Sequence, residues 1–191
     1  MNRLRARTLS LLLPLLALAA CDNGIIDNEQ QVNTAWGNLQ SQYQRRADLI
    51  PNLVETVKAA AAHEKDTLTA VIQARNSATT IKLDAADLSD EKKVAAFQQA
   101  QGQLAQTLRQ VFALSESYPE IRANQNFRDL QVQLEGTENR IQRAREVYNS
   151  AVQTFNSSIL RWPGRWIAGS RKAKMPFEAQ PSAAQAPTVR F

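Results

Sequence analysis

The chain has 191 residues, 43% hydrophobic and 21% charged, a composition that suits one domain of ordinary size. Its formal net charge of +5 is partly local, since the first 20 residues hold three of the 23 basic residues and none of the 18 acidic ones, leaving 20 against 18, or +2, for the remainder. That balance gives no case for nucleic acid as a partner, and a single cysteine excludes an intrachain disulfide framework.

In chain order, Arg3, Arg5 and Arg7 precede the apolar run "TLSLLLPLLALAA", which ends at Leu18-Ala19-Ala20-Cys21. A spanning helix needs about 20 apolar residues, so a run this short reads as the core of a signal peptide. Small residues before the lone cysteine resemble a bacterial lipobox. Residues 1–20 are then a lipoprotein signal, and Cys21 is acylated on sulfur and on its new N-terminus. Lipidation would leave no thiolate for catalysis or metal binding. Asp22, directly after the cysteine, implies retention at the inner membrane in enterobacterial-type sorting. Residues 21–28 are expected to be the lipidated cysteine and a tether.

From 29 to about 161 nearly everything reads helical, with apolar residues recurring at 3-4-3-4 spacing. The first seam runs Val32, Trp36, Leu39, Tyr43, Arg46, Ile50. A second runs Val54, Val57, Ala61, Glu64, Leu68, Val71, Arg75, Ala78. A third runs Val94, Phe97, Gln101, Leu104, Leu108, Val111, Ser115, Tyr118. The fourth runs Phe127, Leu130, Leu134, Thr137, Ile141, Ala144, Tyr148, Ala151, Phe155. Ser89 or Asp90 is placed to N-cap the third segment and Asn124 the fourth, while Pro119 and "RWPG" close them. No strand-like alternation occurs. The fold class is all-α: an antiparallel up-and-down bundle of long helices, four in number, over 29–168.

Pro51 interrupts the first seam, although the spacing stays in phase across it. A helix from 29 to 78 would be about 75 Å long, against about 55 Å for the fourth segment. Asp48 is also placed to cap a new helix with Pro51 in its first turn. A break at Pro51 is therefore expected, which makes four helices and brings the end of the fourth beside the start of the first.

Several polar residues lie on or beside the seams: Arg46, Glu64, Arg75, Gln101, Thr137, Glu138, Arg145 and Asn149. They are either buried pairs that fix register or the lining of an interhelical site. Their spread over several turns favours register. His63 is the only histidine, which rules out a His-based triad or a multi-histidine metal site. No phosphate-cradling loop or nucleophile motif is present, so no catalytic residue, metal or cofactor is assigned. Clustered carboxylates leave a hydrolase as the weakest reading.

In "ILRWPGRWIAGSRKAK" (159–174), Trp162 and Trp166 sit among Arg161, Arg165, Arg171, Lys172 and Lys174. Such a segment is either a membrane contact or a helix end whose tryptophans pack on the bundle. Residues 169–191, basic and then Pro/Ala-rich, read as disordered.

The stretches "TAWGNLQSQYQRRADLIPNLVETVKAAAAHEKDTLTAVIQAR" (34–75), "SYPEIRANQNFRDLQVQLEGTENRIQRAREVYNSAVQTFN" (117–156) and "WPGRWIAG" (162–169) closely resemble the LemA family. Matching positions include Trp36, Arg46, Asp48, Pro51, Asn52, His63, Glu64, Arg75, Tyr118, Pro119, Asn124, Glu138, Arg145, Asn149, Asn156 and Pro163. The resemblance implies an antiparallel bundle held at a bacterial membrane, outside the cytoplasm, with no established enzymatic activity. The chain departs from the family pattern in having a lipobox instead of a hydrophobic anchor, and a basic, Pro/Ala-rich end instead of a Gly/Phe-rich one. The expected function is a lipid-anchored scaffold or adaptor for unidentified envelope proteins. The alternative is a membrane-organising module that grips lipid through its acyl chains and the Trp/Arg segment.

Overall fold

The heptad seams fold as their spacing requires. The computed structural model describes residues 2–61 and 63–177, with side chains from residue 24 onward. The elements are α1 (Asn2–Lys58), α2 (Lys65–Thr80), a 3₁₀ turn (Asp87–Ser89), α3 (Glu91–Ser117), α4 (Pro119–Ala123), α5 (Gln125–Leu160) and α6 (Gly164–Ile167). Among the described residues there is no strand, and α1, α2, α3 and α5 are the four long helices of an all-α bundle. α1 packs along α5, and α2 lies against both α3 and α1. The α1/α5 pair is antiparallel: Tyr43 meets Arg145, Arg46 meets Glu138, and Ile25 lies beside Gly164. The end of the fourth long helix thus sits beside α1 at Ile25, on the Cys21 side of the bundle, as a four-helix parity requires.

Local chemistry sets most boundaries. Asp90 caps α3 by accepting hydrogen bonds from the backbone N–H groups of Lys92 and Lys93. Asn124 caps α5 by accepting from Phe127, and Pro119 opens the single turn of α4, where its missing donor is harmless.

Pro51 does not behave as expected. α1 runs through it to Lys58, and the chain turns back between there and the start of α2 at Lys65 instead. Proline at 51 takes away the donor that would satisfy the carbonyl of Ala47, one turn earlier. That carbonyl accepts a hydrogen bond from Arg75 Nε of α2 at 2.8 Å. The orphaned acceptor is satisfied from a neighbouring helix, so the ladder continues. The actual reversal falls in an alanine run that helix propensity alone would keep helical. Packing overrides propensity there: Ala61 is buried, and Glu64 accepts a hydrogen bond from the Tyr118 hydroxyl at 2.9 Å.

Two further boundaries differ from expectation. The tether expected at 21–28 is part of α1, and Ile25 is buried against the turn at Gly164. The segment from 169, expected to be disordered, is docked as far as Phe177. α2 ends at Thr80 and α3 begins at Glu91, near the level of Trp36, whose indole Nε1 donates to the Leu83 carbonyl at 3.2 Å. Towards the Ile25 end, α1 and α5 therefore lack two helical neighbours, and residues 168–177 fill that space. Phe177 stacks on Trp36, with ring centroids 5.6 Å apart, and meets Phe97 and Tyr148 edge-on. The expectation of disorder for 178–191 lies outside the described residues.

If Arg75 sustains α1 across Pro51, Arg75→Met should cost about 1–3 kcal/mol, the penalty for an unsatisfied buried carbonyl. In a Pro51→Ala background, residue 51 regains its own donor and that loss should shrink. Urea unfolding of the two single variants and the double variant measures the coupling, and additive losses would refute it.

Candidate functional site

The polar seam residues come together in pairs, at three levels of the bundle. At mid-height Arg46 is 1% exposed. Its NH1 donates to Glu138 Oε1 at 2.6 Å, and its NH2 donates to the Gln101 side-chain oxygen at 2.6 Å and the Gln101 carbonyl at 3.2 Å. Gln101 in turn donates to the Ala78 carbonyl at 3.1 Å. One arginine on α1 thereby reaches α5 directly, α3 directly and α2 through Gln101. Beside it, Arg145 Nε donates to the Tyr43 hydroxyl at 2.8 Å, and both guanidiniums lie over the Tyr43 ring, at 5.4 Å for Arg46 and 5.7 Å for Arg145. Burial pushes the Tyr43 hydroxyl above its ordinary pKa, against the lowering pull of Arg145.

Glu64 belongs to a different level, at the far turn, with Tyr118. That hydrogen bond to a carboxylate holds the Tyr118 hydroxyl in its protonated form and raises its pKa. Arg75 is engaged with Ala47, as described. Arg46, Glu138, Gln101, Arg145 and Tyr43 therefore meet at one level, while Glu64 and Arg75 join helices in separate pairs. A cavity of about 260 Å³ lies near the mid-level, between Tyr43, Ala78, Leu83, Phe97 and Gln101, and it holds no facing pair of carboxylates. Among the described residues no cluster of His, Cys, Asp and Glu is arranged to hold a metal ion. His63 is exposed in the reversal between α1 and α2. The side chains of Cys21 and Asp22 lie outside those described.

Asn149 has a role that its heptad position does not reveal. Its amide nitrogen donates to the Phe177 carbonyl and its oxygen accepts from the Phe177 N–H, both at 2.8 Å. Asn156, two turns along the same face, makes the identical pair of contacts with Lys174, again at 2.8 Å. Tyr148 donates to the Met175 carbonyl at 3.0 Å, and the Met175 N–H donates to the Leu88 carbonyl at 2.7 Å. An extended strap is thus held by its main chain. Asn156 and Phe177 are missing from the site residues assigned above, and Lys174 appears there only as a cation of the Trp/Arg segment. The available signal was a pair of asparagines seven residues apart on one helical face.

The Trp/Arg segment divides. Trp162 and Trp166 are 82% and 84% exposed, so they do not pack on the bundle. Arg161, Arg165 and Lys172 are exposed with them. Arg171 is turned inward to Glu29 at 3.3 Å, and the buried Lys174 reaches the same carboxylate at 3.8 Å and the Ala85 carbonyl at 2.9 Å. Those two cations close the strap onto α1.

Comparison with known proteins agrees with this architecture. A family model, described as the LemA family, matches residues 35–191. Magnetosome protein MamQ 2 of Paramagnetospirillum magneticum is 31% identical over 86 residues, covering 44% of this chain and 31% of the relative. Magnetosome protein MamQ of Magnetospirillum gryphiswaldense is 29% identical over 69 residues, covering 36% of this chain and 25% of the relative. The matched part is thus about a third or less of either relative's length.

Replacing Asn149 or Asn156 by alanine removes two main-chain contacts at a buried strap. Each substitution should cost about 1–3 kcal/mol in urea unfolding and should speed amide hydrogen exchange over 170–177 before the rest of the fold opens. Unchanged protection of that segment would refute the clamp. Because Tyr43, Tyr118 and Tyr148 all have raised pKa values, phenolate absorbance of the folded chain should begin to rise only above the free-tyrosine value of about 10. Stability contributed by these protonated hydroxyls is complete below that pH and lost as pH climbs through the folded values.

Proposed function

The chain belongs to the LemA family, and from that premise we propose that it is a non-catalytic, membrane-anchored lipoprotein serving as a scaffold or adaptor for envelope proteins. Family membership and the likeness to magnetosome proteins point to a membrane-associated bacterial protein without a catalytic role. The anchor is Cys21: three acyl chains on one residue hold a protein firmly, where a single chain binds only marginally. Its setting is the periplasmic face of the inner membrane, by the sorting rule for Asp22. α1 continues without a break from the anchor region through Lys58, so the bundle would stand rigidly on its anchor.

The observation that carries the reading is the internal pairing of the seam. Arg46 with Glu138 and Gln101, Glu64 with Tyr118, and Arg75 with Ala47 hold the helices to one another. Glu29, Glu64 and Glu138 each face a cation or a phenol at a different level, an arrangement that lends the hydrolase reading no support. The outward Gln, Asn and Arg faces are then left for a helix or loop of a partner.

Cys21→Ser should release the chain from the detergent phase to the aqueous phase and abolish palmitate labelling. Crosslinking in intact membranes should capture discrete envelope proteins. Recovery of lipid and chaperones alone would contradict the scaffold.

A further inference from the structure

The turn that follows α5 holds two tryptophans outward on a rigid frame. A Cβ on Gly164 would collide with the Ser158 carbonyl oxygen and lie 3.5 Å from Ile25 Cδ1, so the turn is pressed onto both α5 and α1. Backbone hydrogen bonds from Arg165 to Arg161, Trp166 to Pro163 and Ala168 to Gly164 close it, and Ile167 packs inward on the core. The backbone carrying Trp162 and Trp166 is therefore fixed while their rings face solvent. Trp36, by contrast, is 3% exposed. Leu160, 63% exposed, extends the same apolar end, and a shallow groove of about 360 Å³ between α5 and Pro176 opens beside it.

Charge along this part of the chain has one sign. Arg161, Arg165 and Lys172 are exposed, and the sequence holds no acidic residue from Val147 to Phe177. Glu29, the α1 carboxylate that reaches this end, is occupied by Arg171 and Lys174, while Asp27 is the nearby acid left exposed. Ile25, in contact with the turn, lies four residues from Cys21, a helical rise of about 6 Å. Tryptophans favour the bilayer interface, and arginine and lysine favour anionic lipid.

We propose that this end of the bundle docks on an anionic bilayer: Trp162, Trp166 and Leu160 enter the headgroup boundary, and Arg161, Arg165 and Lys172 meet lipid phosphates. The proposal rests on the membrane-anchored reading and adds a second, non-covalent grip that fixes the tilt of the bundle. Continuity with the anchor and the excess of exposed positive charge, Arg161, Arg165 and Lys172 against Asp27, favour lipid over a second copy or another protein as the occupant.

The full chain, reconstituted in vesicles of phosphatidylglycerol and dibrominated phosphatidylcholine, tests this through its three tryptophans. Flotation with the vesicles reports anchoring by itself. The bromolipid should quench the wild type, and the quenching should vanish in the Trp162→Phe, Trp166→Phe variant, which keeps only buried Trp36. In Arg161→Gln, Arg165→Gln, Lys172→Gln, it should fall to the level seen without phosphatidylglycerol. If the chain floats but acrylamide reaches both tryptophans from water, the docking is overturned and anchoring stands. Rings shielded from acrylamide yet unquenched by bromolipid indicate a protein cover, which also overturns it. A chain that does not float removes the anchored reading and the docking with it.

Discussion

One guanidinium at the centre of the bundle determines how the four long helices align. The apolar interior is two clusters. One, around Trp36, Phe97, Tyr148 and Phe177, lies towards the Ile25 end; the other, around Leu53, Val71, Leu104 and Phe127, lies towards the far turn. Arg46, Gln101 and Thr137 form the polar layer between them, all buried. Within either cluster most of the contact is apolar. The polar layer adds a strict constraint on register, because a slip of about 5.4 Å would break contacts of 2.6 Å and strand a charge without water. The layer trades stability for a single register, as a buried polar residue does in a coiled coil. Glu138 keeps 41% of its side chain exposed, so the compensating charge stays partly hydrated and its burial costs less.

Register at Arg46 propagates along α1 and α5 to the anchor end. The two helices keep their pairing from Arg46–Glu138 through Tyr43–Arg145 to Ile25–Gly164. On the other side of Arg46, α1 passes Pro51 without a break, which Arg75 permits by satisfying Ala47. The strap then fastens the same end through Asn149, Asn156, Phe177 and the Glu29 ion pairs. The outcome is a stiff rod whose least satisfied surface, the exposed tryptophan pair, sits where the chain leads back to Cys21.

Much of this was legible in the residues. Seam positions such as Val32, Leu39, Leu104, Leu134 and Phe155 are buried, because 3-4 spacing is a direct consequence of helix geometry. Asp90 and Asn124 cap as their side chains suggest. What stayed hidden depends on contacts distant in sequence. The donor for Ala47 comes from Arg75, 28 residues away, and nothing near Pro51 announces it. The reversal between α1 and α2 occurs in alanines, which favour helix. The strap is recognised mainly through its backbone, so a composition that reads as disordered carries no trace of docking except Phe177. For the candidate site, the kinds of residue were readable, but their partners were not: Arg171 and Lys172 look equivalent in sequence, yet one closes an ion pair and the other faces solvent.

Arg46 and Glu138 act as one unit that holds the helices in register. Equilibrium urea unfolding of Glu138→Leu, alone and combined with Arg46→Met, is the test. Glu138→Leu leaves a buried arginine with no counter-charge and should cost about 3–5 kcal/mol; adding Arg46→Met removes that charge and should recover most of the loss. Losses that simply add, or a Glu138→Leu variant as stable as the parent, would contradict the account.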